Sequence, residues 1–392
     1  MTYLIQAYAC SPYKGGEYAV SWGWIIHLDR QLQMQDEIYV VSLTLQQEDI
    51  IKYGLKHVKL VPIKGLSKYN FLNYNHLFYK IWQNKAYKTI KNMKIKIDVI
   101  HVYSLSDYRF IGKWCNIKSA YKILGPVGGG QVVPPALKEY DDSKGMIREK
   151  INALYNNSYY KHKIEKYDEI YVCNHETKRV LYDGYVLPDV PLNDKFLNLK
   201  INHRNNDEKV VILYVGRLIN KKGIFFLLDV LTLIDKSVDY ELLMYGDGEQ
   251  RDDIVKKIIE KNLQERVIVK GAVPYDNITT IYRNADIFVM PSLRESGGSV
   301  LVEAMAHKLP IVALNMSFAR ILNKYNCGLF VDTNQSKREI QKDMANKLKE
   351  LILKPKLRRR YGENGYKYVN EKLTWEYMIE RLYGKFLDDE TV

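Results

Sequence analysis

Two carboxylates eight positions apart, Glu295 and Glu303, flank a Gly297-Gly298-Ser299 turn in the segment PSLRESGGSVLVEAMA, residues 291–306. A glycine pair lets backbone approach a ligand closely, and the first amides of a helix opening at Ser299 and Val300 lack intrahelical partners. Such amides bind phosphate well. One acid in the loop and another a turn into the helix are then placed to hold hydroxyls at the two ends of that phosphate. A plainer reading stands beside this one: Ser299 is a good N-cap residue, and an acid early in a helix suits the helix dipole.

Upstream, residues 210–215 (VVILYV) form a short, wholly apolar, β-branched run, the pattern of a strand buried on both faces. It leads into Gly216-Arg217-Leu218-Ile219-Asn220-Lys221-Lys222-Gly223 and then an apolar helical run over 224–233. Strand, glycine-bounded basic loop and helix form the crest at which open α/β sheets place their ligands. Arg217 offers a planar fork of donors to phosphate oxygens, and Lys222 a compact positive charge. As an isolated loop this would be an exposed basic turn whose ion pairs contribute little. Read with the acidic segment, it supplies the middle of a nucleotide-sugar: sugar hydroxyls, diphosphate, ribose hydroxyls.

The chain thus resembles the retaining glycosyltransferases of family 4, the group 1 glycosyltransferases, closely over residues 210–322 and more loosely over most of the remainder. The resemblance rests on G-R-x4-K-G at Gly216 to Gly223 and on E-x7-E at Glu295 and Glu303. Between and around them, in family order, stand YELLMYGDGEQRDDI, RVIVKGAVPYDNITTIYRNADIFVMPS and EAMAHKLPIVA. The resemblance implies an α/β chain of GT-B fold, with two Rossmann-like parallel-sheet domains facing across a cleft. Residues 1–190 would bind acceptor, 191–370 the nucleotide-sugar, and the helix in 371–392 would pack back on the first domain. Arg217, Lys222 and Glu295 form the expected catalytic set. The donor is expected on Gly15, Gly16, Gly216, Gly246, Val273, Gly297, Gly298, Ser299, Val300 and Glu303, the last holding the ribose diol. Glu17 and the Gly128-Gly129-Gly130 loop are expected on the acceptor side.

Bulk properties agree. The 392 residues provide for two ordinary cores. Strands are expected at 3–8, 38–43, 58–62, 99–102, 121–124 and 169–172, then at 210–215, 240–245, 266–270, 287–290 and 310–313. Their alternation with helical stretches predicts parallel sheets flanked by helices. The Pro-, Asn- and Asp-rich stretch 187–207 is the expected hinge. Cys10, Cys115, Cys173 and Cys327 are widely spaced, without a zinc pattern, and read as buried thiols in a reducing compartment. With no secretory pattern ahead of Tyr3 and no apolar run long enough to span a bilayer, a cytoplasmic protein is expected.

The net charge of +13 is unevenly placed, for residues 50–97 contain no Asp or Glu but eleven lysines. Tyr69, Phe71, Tyr74, Phe78, Tyr79, Trp82 and Tyr87 are interleaved with them. Lysines among exposed aromatics suit an anionic membrane surface, and here the inner face of the plasma membrane is expected. A solvated lysine-rich face would look the same in composition. No nucleic-acid-binding motif accompanies the charge.

The mechanism the resemblance implies is retaining transfer from a nucleoside diphosphate sugar, uridine-linked by family weighting. The acceptor is a saccharide, carried on a polyprenyl diphosphate, in assembly of bacterial capsule, O-antigen or exopolysaccharide. Arg217 and Lys222 would neutralise the leaving diphosphate without a metal ion or other cofactor. Asp141-Asp142 and Asp252-Asp253 read as turn and helix-surface acids rather than metal ligands. Two other classes fit the same motifs: a phosphorylase of the same fold, and a non-catalytic homologue acting as a partner subunit. The chain departs from the commoner pattern at Leu124-Gly125-Pro126, where many relatives carry a histidine. The linker reads Leu187-Pro188-Asp189-Val190 in place of Asn-Gly-Val-Asp. His101, ending an apolar strand, reads as structural and stays outside the catalytic set.

Overall fold

The computed structural model describes residues 1–63, 76–103, 107–118, 120–141, 162–201 and 209–387. The chain divides into two compact units. The first is drawn from 1–130, 152–191 and 375–392, the second from 131–151 and 192–374.

Unit one is built on β1 (Thr2–Gln6), α1 (Glu17–Asp29), β2 (Glu37–Val41), α2 (Gln47–Lys52), β3 (Val58–Leu60) and α3 (His76–Met93). There follow β4 (Val99–Val102), β5 (Tyr121–Val127), β6 (Glu169–Val172), α4 (His175–Leu181) and β7 (Tyr185–Val186). Its seven strands run in the order β3-β2-β1-β4-β5-β6-β7, every neighbouring pair parallel.

Unit two comprises β8 (Val210–Val215), α5 (Ile224–Leu231), β9 (Tyr240–Tyr245), α6 (Arg251–Glu260), β10 (Val267–Gly271) and α7 (Ile278–Arg283). It continues with β11 (Ile287–Met290), α8 (Ser299–Ala306), β12 (Ile311–Leu314), α9 (Ser317–Lys324), β13 (Gly328–Val331), α10 (Lys337–Leu353) and α11 (Pro355–Lys372). The sheet order is β10-β9-β8-β11-β12-β13, again parallel throughout. In both sheets the winding reverses beside the first strand, between β1 and β4 and between β8 and β11. Loops on the two sides of such a reversal diverge and leave a crevice at the carboxyl ends of the strands.

The strands lie where apolar runs predict them, because a strand covered by helices on both faces must be apolar on both. All of β4, β11 and β12 is buried, as is β8 up to Val215. The short edge strands β7 and β13 are additions to the expected set.

In α3 the expectation of exposed aromatics is corrected. Phe78, Tyr79 and Trp82 are buried, with Ala86 and Ile90 in the same core. The helical period turns Lys80, Lys85, Lys88 and Lys91 outward, and the exposed large apolar residues of this helix are Leu77, Ile81 and Met93. Tyr69, Phe71 and Tyr74, with Lys64 and Lys68, fall outside the described residues.

Residues 131–141, expected within the N-terminal domain, pack instead in unit two. Val133 and Leu137 enter its core, and Tyr140 donates to Asp229 Oδ2 and accepts from Gln341 Nε2 at 2.9 Å. Lys337 pairs with Glu139 at 2.7 Å.

The final helix, Trp375–Leu387, belongs to unit one. Trp375 meets Trp24 edge-on with centroids 5.3 Å apart and stacks on His27 at 5.0 Å. At Gly23 on α1, a Cβ would stand 1.8 Å from the Trp375 ring, so the glycine makes the seat for this indole. His101 is buried between Gly125 O and the Tyr383 hydroxyl of the final helix. A carbonyl only accepts, so Nε2 carries the hydrogen and Nδ1 accepts from the tyrosine. Burial pushes the imidazole down to about 4, and it stays neutral. His101 is therefore a structural histidine.

Gly23→Ala overpacks this seat. It should cost about 1–3 kcal/mol of stability and raise amide exchange in the final helix first. A melting curve and exchange pattern like those of the native chain would refute the role given to Gly23.

Candidate functional site

The crest of unit two brings four loops to one edge, because parallel strands deliver all their carboxyl ends to the same side. Gly216 N donates to Tyr245 O at 3.0 Å, Gly246 N to Gly271 O at 2.9 Å, and Leu218 N to Asp247 O at 2.9 Å. These bonds place the loops after β8, β9 and β10 side by side.

The loop after β11 is fastened to the one after β8. Leu293 N donates to Lys221 O at 3.0 Å. Gly223, in the left-handed region at φ 68°, leaves room for the Pro291 carbonyl, 2.2 Å from where a Cβ would stand. Backbone thus fixes the approach of two side chains from either side of the reversal. Lys222 and Glu295 form an ion pair there, with side chains only 15% and 17% exposed.

Around that pair the charge is dense. Lys221 is half-buried, and burial lowers its pKa, while Glu295 opposes that and Lys222, Arg217 and Arg294 reinforce it. Arg217 lies exposed at the head of the loop. Its carbonyl accepts from the buried Tyr214 hydroxyl at 2.9 Å. Burial and the nearby Glu295 raise that phenol's pKa, so it remains a neutral donor.

Glu303 lies on α8 in a different setting. Its carboxylate accepts from Tyr282 at 2.9 Å and Tyr275 at 3.3 Å. Burial raises its pKa, against the two tyrosines and Lys195, which favour the charged form. Lys195 sits 3.5 Å from the centre of the Tyr275 ring. Tyr275 lies two residues beyond Val273 in the loop after β10, so that loop reaches Glu303 through its tyrosine. At the start of α8 the cap position is Gly298, at φ 86° and ψ 66°, without a side-chain cap. Ser299, read as an N-cap, is instead the first helical residue and exposed. Gly297 is buried and Val300 half-buried beside it.

Sequence reasoning missed Lys221, Arg294, Tyr275 and Tyr282. Lys221 and Arg294 each adjoin a residue already singled out, so their signal was adjacency. The tyrosines had none, since each reaches Glu303 only through the fold. Asp141, read as a turn acid, is 3% exposed and faces Arg294. Asp252 and Asp253 do lie in the first turn of α6 and are exposed. Among the described residues no group of three or more His, Cys, Asp or Glu could hold a metal ion.

Unit one has its own crest. Gly15 and Gly16 lie exposed at the start of α1, and no atom stands within 4 Å of where either Cβ would be. Gly128, Gly129 and Gly130 are all buried. Gly128 bridges to Asp107, and Gly130 N donates to Thr177 Oγ1 at 3.3 Å, so packing accounts for these glycines. Glu17 is half-buried and shares this crest with Asp189 and Asp107. Burial, then repulsion from those two acids, pushes its carboxyl up to about 8.

Residues 196–368 match the family model described as glycosyl transferases group 1. The capsular polysaccharide biosynthesis glycosyltransferase CapM of Staphylococcus aureus is 29% identical over 217 residues, covering 54% of this chain and 53% of that one. The chain spans about half the length of the curated relatives it matches. Over 98% of both chains, the sucrose-phosphate synthase of Thermosynechococcus elongatus superposes with a TM-score of 0.68 at 18% identity. HepE of Anabaena in complex with UDP does so with a TM-score of 0.63 at 14% identity, over 98% of this chain and 99% of that one. The two parallel-sheet units are those of the GT-B fold.

Glu17 carries a pH prediction. In the unfolded chain a glutamate ionises near 4.5, whereas the folded chain holds this proton to about 8. Between those values the folded state binds the extra proton, so stability falls as pH rises through that window and levels off above it. Glu17→Gln should flatten that part of the melting-temperature profile. Parallel profiles for the two proteins would overturn the assignment.

Proposed function

We propose, from a C-terminal unit that belongs to the group 1 glycosyltransferases, that this chain transfers a hexosyl group from a nucleoside diphosphate sugar to a saccharide acceptor. The observation that carries this reading is the Lys222–Glu295 pair amid further cations at the strand-order reversal of unit two. Breaking the anomeric C–O bond builds positive charge on the sugar ring and negative charge on the departing diphosphate. Fixed donors aimed at the latter lower the barrier most, because they need no reorganisation as charge develops.

Arg217 and Lys222 take that role, with the Ser299 and Val300 amides at the start of α8 and the close backbone of Gly216, Gly246, Gly297 and Gly298. Glu295 holds the ammonium of Lys222 in place and orients the sugar hydroxyls. Glu303 holds the ribose diol, exchanging tyrosine hydroxyls for ligand ones, with Val273 beside the base. The released phosphate oxygen takes the acceptor proton while the acceptor oxygen attacks from the same face, which retains the anomeric configuration. No metal ion enters this scheme.

The donor base is uridine in this proposal, supported by the UDP bound to HepE. The acceptor is a growing surface polysaccharide on a polyprenyl diphosphate carrier, supported by the likeness to CapM. Among the described residues no helix is long and apolar enough to cross a membrane. The outward lysines of α3, with Leu77 and Ile81 exposed beside them, instead suit the anionic inner face of the plasma membrane.

Incubation of the pure protein with a panel of nucleotide-sugars should give slow hydrolysis of one donor. Silence across the panel refutes the reading. Lys222→Ala and Arg217→Ala should each lower transfer on the order of a hundredfold or more with the melting temperature kept. Glu303→Ala should raise KM for donor more than it lowers kcat, and the reverse pattern would remove Glu303 from the ribose. Changing Lys80, Lys85, Lys88 and Lys91 to Gln should reduce sedimentation with anionic vesicles. Unchanged sedimentation would mean that the basic face serves another end.

A further inference from the structure

We propose that Arg294 is a further cation of the diphosphate site, for which Asp141 competes with the ligand. The inference rests on the donor reading above and adds two residues to it. Neither belongs to the motifs that identify the family.

Three observations carry it. The backbone bond from Leu293 N to Lys221 O sets the residue after Leu293 against the basic loop, so Arg294 and Glu295 flank Lys221 and Lys222. Arg294 is buried to all but 11% of its side chain, and it pairs with Asp141 on the 131–141 strap of the same unit. Finally, this pair is not a hydrogen-bonded one. Arg294 Nη1 stands 3.7 Å from Asp141 Oδ2, and Arg294 Nε, Arg294 Nη1 and Asp141 Oδ1 are all buried without a hydrogen-bond partner.

A buried guanidinium with unspent donors is costly, and the cost is recovered when an anionic acceptor reaches it. The planar fork of arginine matches a phosphate better than the point charge of lysine does. Charge balance agrees. Arg217, Lys221, Lys222 and Arg294 face Glu295 and Asp141, which leaves the group positive by two. A diphosphate esterified at both ends carries one charge on each phosphate and gains another on release. The carboxylate of Asp141 holds the guanidinium by attraction alone, so the fork stays free to turn to the ligand.

The test is binding of UDP, GDP and dTDP, each beside its monophosphate, by calorimetry. In the native chain one diphosphate should bind more tightly than its monophosphate. Arg294→Met should weaken that diphosphate about tenfold or more while the monophosphate changes little, and Arg294→Lys should restore part of the loss. Asp141→Asn, which keeps the shape and removes the competing charge, should tighten the diphosphate. Equal loss of both nucleotides in Arg294→Met, or no loss of either, overturns the inference while leaving the donor reading intact. If the native chain binds none of the diphosphates, both fall. Melting curves of the lysine and methionine variants separate a binding defect from a folding one.

Discussion

The structure of unit two turns on one ion pair, that between Lys222 and Glu295, and on the backbone that brings its partners together. Nearly removed from water, such a pair contributes little net stability, because desolvation offsets the attraction of the charges. Its value is positional. Two loops on opposite sides of the strand-order reversal are held by an amide bond and a glycine contact before the side chains meet. The ammonium is therefore fixed in advance, which is what the proposed stabilisation of a developing charge requires.

The same economy governs Glu303. Burial favours its neutral form, and two tyrosine hydroxyls favour the charged one. The two tyrosine hydroxyls thus offset part of the cost of burying this carboxyl group. In unit one the opposite choice is made at Glu17, which burial and two nearby acids keep protonated. The two crests thus differ in sign, one cationic and one acidic, though both arise from the same doubly wound topology.

Much of this architecture was legible in the chain. Apolar runs located β4, β8 and β11 to the residue, since a strand buried on both faces has no polar alternation to blur its ends. The helical period of α3 was equally present, but composition alone suggested exposed rings. The spacing of Phe78, Tyr79, Trp82, Ala86 and Ile90 turns them inward, as packing demands. The strap at 131–141 was not legible, because nothing in its sequence says which of two apolar cores it enters.

For the site, residue types and spacing picked out the candidates: Arg217, Lys222, Glu295 and Glu303 stand out by motif, and the loops that carry them by strand–loop–helix order. Tertiary structure alone decided the partners. That Lys222 meets Glu295, that Tyr275 and Tyr282 hold Glu303, and that Asp141 faces Arg294 depends on contacts between positions far apart in sequence. Local pattern records how a segment folds back on its own helix or strand. It carries no record of which distant loop a parallel sheet will deliver to the same edge.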